Sequence, residues 1–114
     1  MDEKCIFCKI IKGEIPSKKL YEDDYMYAFY DINPMAPVHV LVVPKKHIQN
    51  TDDVHADNSV YVSKIFEKIP NIAKLAGITN GYRVITNCGE DGCQSVMHLH
   101  FHILGGTKLP ETLA

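Results

Sequence analysis

The stretch that decides the fold lies near the C-terminus, where residues 97–106 read Met-His-Leu-His-Phe-His-Ile-Leu-Gly-Gly. Because side chains on a β-strand point alternately to its two faces, the apolar and the imidazole side chains would separate onto opposite faces. The apolar face would join the core, and its members are Leu99, Phe101 and Ile103. The other face would carry a row of three histidines, which are His98, His100 and His102. The pattern predicts a strand over residues 97–104, ended by the glycine pair that follows.

A row of three imidazoles indicates chemistry, since each ring needs a polar partner if it is buried. Neutral imidazoles at alternate strand positions could bind one zinc ion that keeps an open position for catalysis. Alternatively, one imidazole could act as a nucleophile or base while its neighbours orient it. The simplest interpretation is an exposed polar face on an edge strand. The sequence before the row favours chemistry over that interpretation.

Residues 87–95 form that preceding segment, and they contain Gly89 and Gly92. Glycines allow backbone N–H groups to approach an anion closely. The side chains of Gln94 and Ser95 add hydrogen-bond donors directly before the histidines. The segment is therefore interpreted as a loop that holds a phosphate.

The rest of the chain predicts an α+β domain with an antiparallel sheet. Strands are expected at residues 20–22, 25–30, 38–43 and 82–87, the first two as a hairpin. A short helix is expected over residues 6–11, ending near Gly13. A long helix would follow a cap at Asp57, kink or restart at Pro70, and end at Gly77. Its apolar residues recur at helical spacing: Val62, Ile65, Phe66, Ile69, Ile72, Ala73 and Ala76.

Composition limits the possible functions. The chain has 114 residues, of which 46% are hydrophobic, so residues 1–114 are expected to form a single domain. The net charge of −2 gives no reason to expect nucleic-acid binding through bulk charge. No apolar run is long enough to cross a membrane, and no signal peptide is recognised. The expected compartment is the cytoplasm, where thiols stay reduced.

Two of the four cysteines form a CxxC pair, at Cys5 and Cys8. In a reducing compartment such a pair is half of a metal site or a redox pair. A redox pair of the thioredoxin type would follow a strand, and no strand is expected before residue 5. Cys88 and Cys93 lie in the predicted phosphate loop, and nothing in the sequence indicates that they bind metal.

The histidine segment, with Gln94 and Ser95 before it and the glycine pair after it, resembles the motif of the histidine triad (HIT) family. The flanking residues are similar to the Hint branch, whose members are purine nucleoside phosphoramidases. The resemblance extends along almost the whole chain, at residues 7–11, 14–16, 21–24, 29–34, 36–39 and 44–48. It implies a HIT-like fold, with a five-stranded antiparallel sheet, one short N-terminal helix and one long helix. It also implies a homodimer paired across the long helix and an edge strand.

The resemblance implies a reaction in which His100 attacks the α-phosphorus of a purine nucleotide, forming a nucleotidyl-histidine that water hydrolyses. His39 would relay the proton of the nucleophile. The groups that bind phosphate or assist the leaving group would be His102, Ser95 and Asn87, with Gln94 in the same loop. Asp31 would accept the ribose hydroxyls. The apolar walls around the purine would be Ile6, Phe7, Ile10, Phe29 and Ile32.

Relatives with an N-terminal CxxC bind zinc, and their ligands resemble Cys5, Cys8, His47 and His98. Four protein ligands leave no open position, so the implied zinc is structural. No organic cofactor is implied. The chain contains no Trp, whereas animal members end with an aromatic Trp, so their leaving-group preference is not transferred. Two alternatives remain open: a zinc-dependent hydrolase that uses the histidine row, and a nucleotide-binding protein without catalysis.

Overall fold

The computed structural model describes residues 3–113, which form two α-helices, one short 3-10 helix and five strands. In chain order these are α1 (Ile6–Lys12), β1 (Lys19–Glu22), β2 (Met26–Tyr30), β3 (Val38–Pro44), the 3-10 helix Thr51–Asp53, α2 (Ser59–Leu75), β4 (Tyr82–Ile85) and β5 (Phe101–Gly105). The strands form one antiparallel sheet in the order β1-β2-β3-β5-β4. The α+β fold with a five-stranded antiparallel sheet, expected from the sequence, is confirmed.

The sheet separates two apolar clusters. On one face, α2 packs through side chains at helical spacing, which are Ile65, Ile69, Ile72 and Ala73. On the other face, α1 packs through Phe7, Cys8 and Ile10 against β2 and β3. β3 has a nearly continuous buried pattern because it contributes side chains to both clusters. The site described below lies on the α1 face.

The long helix differs from expectation at two points. It begins after Asn58 rather than Asp57, and the Asn58 side chain bonds to backbone groups of Asp53 and His55 instead of capping the helix. It also continues through Pro70 without a break. A proline removes one helical hydrogen bond, but burial of Ile69 and Ile72 on the sheet holds both sides of the proline in one helix. Gly77, at φ +84°, follows the helix as predicted.

The last two strands are shorter than expected: β4 ends at Ile85 and β5 begins at Phe101. The residues before β5 find other partners, since the Leu99 N–H donates to the Ile48 carbonyl at 2.6 Å. The Thr86 hydroxyl likewise donates to the His100 carbonyl at 2.8 Å. The expected alternation of faces is nevertheless confirmed. Leu99, Phe101 and Ile103 all pack in the α2-side cluster, and the histidines lie on the α1 side.

Neither helix within the described residues is long and apolar enough to span a bilayer.

Candidate active site and metal centre

The first histidine of the segment, His98, belongs to a cluster of four side chains of the kinds that coordinate metals. We call Cys5, Cys8, His47 and His98 the cysteine–histidine cluster, and their ligand atoms lie within 4.8 Å of one another. His98 Nδ1 is 3.3 Å from Cys5 Sγ, 3.6 Å from Cys8 Sγ and 3.2 Å from His47 Nδ1. Cys8 Sγ is also 3.3 Å from His47 Nδ1. A tetrahedral zinc with two sulfur and two nitrogen ligands requires ligand–ligand edges of about 3.3–3.7 Å, so this donor set fits zinc.

The proton of His98 is placed to leave Nδ1 available to a metal. His98 Nε2 lies 2.9 Å from the Pro44 carbonyl, and a carbonyl only accepts, so Nε2 carries the proton. Burial lowers the pKa of His98 to about 4, and the ring is therefore neutral at neutral pH. A second bond that fixes the ring and its tautomer is typical of metal-bound histidines.

The ring of His100 is fixed by a hydrogen bond to the backbone of its own segment. Its Nδ1–H donates to the His98 carbonyl at 2.7 Å, so the lone pair is on Nε2. Within residues 3–113 no hydrogen bond to Nε2 is formed, and every fully buried polar side-chain atom has a partner, so Nε2 lies at the accessible surface. The ring as a whole is only 3% exposed, and burial lowers its pKa. His100 is therefore neutral and unprotonated at the nitrogen that can react.

The third histidine, His102, ends a chain of hydrogen bonds that begins at a backbone amide. Met35 N–H donates to His39 Nδ1 at 3.1 Å, so the proton of the neutral His39 ring is on Nε2. That nitrogen lies 2.9 Å from His102 Nδ1 and 3.5 Å from Asp31 Oδ2. Burial lowers the pKa of His39, and burial together with His100 and His39 lowers the pKa of His102 to about 4. His102 consequently carries its own proton on Nε2. We call Asp31, His39 and His102 the histidine–aspartate cluster.

A pocket of about 260 Å³ is lined by one of these histidines, His102; among the described residues, His39 and His100 do not line it. The centroid of the His100 ring lies 5.0 Å from that of His102. The pocket brings together Asp31, Ser95 and His102 with all five apolar residues that the resemblance assigned to the purine walls: Ile6, Phe7, Ile10, Phe29 and Ile32. Phe7 and Phe29 are buried and form an edge-to-face pair at 5.7 Å, whereas Ile32 is 91% exposed at the rim. Asp31 Oδ1 accepts the Asn33 N–H at 2.8 Å. The pocket thus has an apolar body with a carboxylate and an imidazole at its edge, as small-molecule sites commonly have.

The loop before the histidines is held by two of the predicted site residues. Gln94 is buried, donates to the carbonyls of Gln49 and Val96, and accepts the Gly89 N–H at 2.9 Å. Asn87 donates to the Gly92 carbonyl at 2.7 Å. Ser95 reaches the pocket wall, and within the described residues neither Gln94 nor Asn87 is among the side chains that line it. Their bonds fix the loop shape that presents Ser95.

A main-chain carbonyl of the histidine strand is the acceptor that the resemblance implies for the His100 N–H, and the His98 carbonyl lies in that position. Sequence reasoning missed the groups that set the protons of two other rings: Pro44 acts on His98 through its carbonyl, and Met35 acts on His39 through its amide. Backbone groups leave no residue-type signal, so no motif could have identified them. Val96 and Leu41 also line the pocket and were not predicted. The position of Val96 directly after Ser95 was the available signal.

The three histidines do not converge on one point, which matters for the hypothesis of a catalytic zinc on the row. Among residues 3–113, His98 groups with the cysteines and His102 groups with Asp31 and His39. His100 Nδ1 is occupied by the His98 carbonyl. The geometry gives no shared ligand set for the row.

Comparison with known proteins identifies the family. The HIT domain model matches residues 12–109, and the chain belongs to the HIT family. The match begins after Cys5 and Cys8, so the CxxC pair lies outside the matched residues.

Individual relatives cover almost the whole chain. A histidine triad protein from Clostridium difficile superposes with a TM-score of 0.93 at 54% identity, covering 98% of each chain. A HIT family hydrolase from Clostridium thermocellum superposes with a TM-score of 0.96 at 45% identity, covering 100% of each chain. The 14 kDa zinc-binding protein of Zea mays is 44% identical over 116 residues, which covers 95% of this chain and 86% of the maize protein. The similarity therefore includes a hydrolase and a zinc-binding protein.

Proposed function

We propose that the protein is a nucleotidyl hydrolase of the Hint branch, acting on purine nucleoside phosphoramidates or related adenylyl conjugates. The observation that carries this proposal is the 2.7 Å bond from His100 Nδ1–H to the His98 carbonyl. It fixes the lone pair on Nε2, which is the requirement for an imidazole that attacks phosphorus. The pocket lined by His102, with its aromatic and aliphatic walls, has the chemistry to hold a purine nucleoside.

In the proposed reaction a bond forms between His100 Nε2 and the α-phosphorus, and the bond from phosphorus to the leaving group breaks. The leaving amine takes a proton, for which His102 Nε2–H is the available donor. His39 supports His102 by donating to its Nδ1 at 2.9 Å. Water then attacks the phosphorus and its proton returns to His102 Nε2, while the bond from phosphorus to His100 Nε2 breaks. This step releases the nucleoside monophosphate and restores neutral His100 and His102.

The remaining residues would bind the substrate. Asp31 Oδ2 is available to accept ribose hydroxyls, since Oδ1 is engaged by the Asn33 N–H. Ser95 at the pocket wall would donate to the phosphate or to the leaving group. Preorganised donors at that position would stabilise the charge that develops on the phosphoryl oxygens.

We also propose that the cysteine–histidine cluster holds a structural zinc. Its four ligands would complete a tetrahedral coordination sphere and leave no position for substrate. A bound zinc would supply a cross-link between α1 and the sheet. A reducing cytoplasm would keep Cys5 and Cys8 available as ligands.

Trapping the covalent intermediate tests the proposed reaction. An adenylate substrate with an activated leaving group should label His100, and mass spectrometry of the quenched protein locates the adduct. His100→Ala should abolish both the adduct and phosphoramidate turnover, whereas His55→Ala, at an exposed histidine outside the site, should retain both. Active turnover without an adduct on His100 would overturn the covalent route. AMP binding without any turnover would favour the non-catalytic alternative.

We further propose that the protein forms a homodimer through α2 and the edge strand β4. Large apolar side chains are exposed on these two elements, including Val60, Phe66 and Leu75 of α2 and Tyr82 of β4, with Phe66 51% exposed. Light scattering should give twice the chain mass. Phe66→Asp should shift it towards the monomer because the new charge would have to be buried.

A further inference from the structure

The two residues between Cys5 and Cys8 line the pocket proposed for the substrate, and one of them also contacts the proposed nucleophile. Ile6 and Phe7 both line the pocket. The Phe7 ring meets the His100 ring edge-on, with centroids 5.1 Å apart and an interplanar angle of 81°. It also meets the His98 ring at 6.0 Å. A displacement of Cys5 or Cys8 would therefore move both the pocket wall that would contact the purine and the Phe7 ring that contacts His100.

The cysteine–histidine cluster is also connected to His100 through the backbone of its member His98. His98 offers Nδ1 to the cluster, while its carbonyl accepts the proton of His100 Nδ1. Its Nε2–H is held by Pro44, the last residue of β3. His98 therefore fixes the tautomer of His100 through its carbonyl, and its side chain belongs to the cysteine–histidine cluster.

We propose that the cysteine–histidine cluster is a positioning device for catalysis as well as a structural cross-link. When zinc is bound, the cluster would hold Phe7 against one side of the His100 ring and the His98 carbonyl against Nδ1. This inference rests on the proposed function, because it assigns a task to residues around the proposed nucleophile. Nucleotide affinity and the orientation of the His100 ring would therefore depend on bound zinc.

The length of α1 supports this dependence. A helix of seven residues is too short to be stable alone. Its N-terminus has Cys5 as the capping residue, with Sγ accepting the Cys8 N–H at 3.4 Å. The cap of α1 is therefore also a member of the metal cluster. By contrast, the α2-side cluster shares none of these residues, so loss of zinc should leave that side of the sheet in place.

The experiment compares the full chain loaded with zinc and after chelation. Ring nitrogen NMR signals report the tautomer of His100, calorimetry reports AMP affinity, and amide exchange at Val40 and Ile103 reports whether the sheet remains folded. With the sheet intact, chelation should mix the His100 tautomers and weaken AMP binding roughly tenfold, the scale on which outer supporting contacts affect a site. A purely structural zinc would lower the melting temperature while leaving the tautomer and AMP affinity unchanged, which would overturn the inference.

A pair of variants keeps the test decisive if chelation unfolds the protein. Phe7→Leu should disturb the His100 ring signals and lower kcat by about 10²-fold, as small misplacements of reacting groups do, while one zinc per chain is retained. Tyr25→Leu is the matched control, because the Tyr25–Tyr61 pair has the same 5.7 Å distance and 70° angle as the Phe7–Phe29 pair. The Tyr25–Tyr61 pair packs against the α2-side cluster, and its loss should leave His100 unchanged.

Equal behaviour of the two variants would overturn the positioning role. Adduct formation on His100 tests the proposed function separately. A protein that forms the adduct but shows no response of AMP affinity or of the His100 tautomer to zinc would remain a nucleotidyl hydrolase and would lack the positioning device.

Discussion

The cysteine–histidine cluster and the histidine–aspartate cluster lie on either side of His100, and in each the donor atoms lie within 4.8 Å of one another. They differ in where the ring protons are. In the first, His98 Nε2–H donates to the Pro44 carbonyl, and the unprotonated Nδ1 faces the side chains of Cys5 and Cys8. In the second, the Met35 amide occupies His39 Nδ1, which places a proton between His39 and His102. The first cluster is suited to a cation and the second to proton transfer, although both are rich in histidine.

Removing a zinc ligand gives the largest expected difference between the clusters. Cys8→Ser should abolish stoichiometric zinc binding and remove the stabilisation that bound zinc provides, about 4 kcal/mol where free zinc exceeds Kd a thousandfold. His102→Ala should retain one zinc per chain because its ring lies outside the metal cluster. Elemental analysis gives the stoichiometry, and urea unfolding with and without zinc gives the free energy. Loss of zinc from His102→Ala would show that His102 contributes to zinc binding and that the two clusters are not independent sites.

A substitution in the second cluster should affect the reaction and leave the metal in place. His39→Gln removes the ring that orients His102, the proposed proton donor, through a hydrogen bond to its Nδ1, and kcat for an adenosine phosphoramidate should fall by about 10²-fold. Zinc content should remain at one per chain. His55→Gln is the matched control at an exposed histidine and should retain wild-type turnover. Unchanged turnover in His39→Gln would remove the supporting role of His39 from the proposed mechanism.

The sequence predicted the sheet, its two helices and the separation of faces because those depend on periodicity. It did not predict that the strand ladder would begin only at Phe101. His98 and His100 are held by side-chain contacts with α1 and β3 rather than by ladder hydrogen bonds. The metal-type ligand set came from the resemblance and not from spacing, because His47 is distant in sequence from both Cys8 and His98. The proton arrangement depends on Met35 and Pro44 backbone groups, which carry no side-chain signature. For this reason the sequence left the catalytic-zinc hypothesis open, whereas the geometry favours the nucleophile.

The smallest expected effect comes from zinc added beyond the first equivalent. Binding at the second cluster would require His39 Nε2 to lose its proton. The proton would then have to move to His39 Nδ1, where it would face the Met35 N–H that now donates to that nitrogen. A flip of the ring would relieve this conflict but would break the 2.9 Å contact with His102. We therefore expect a modest excess of zinc to leave turnover and calorimetric stoichiometry unchanged. A second equivalent that binds with comparable affinity, and that His39→Gln removes, would mean that the Met35 amide does not control the ring and that the two clusters are alike.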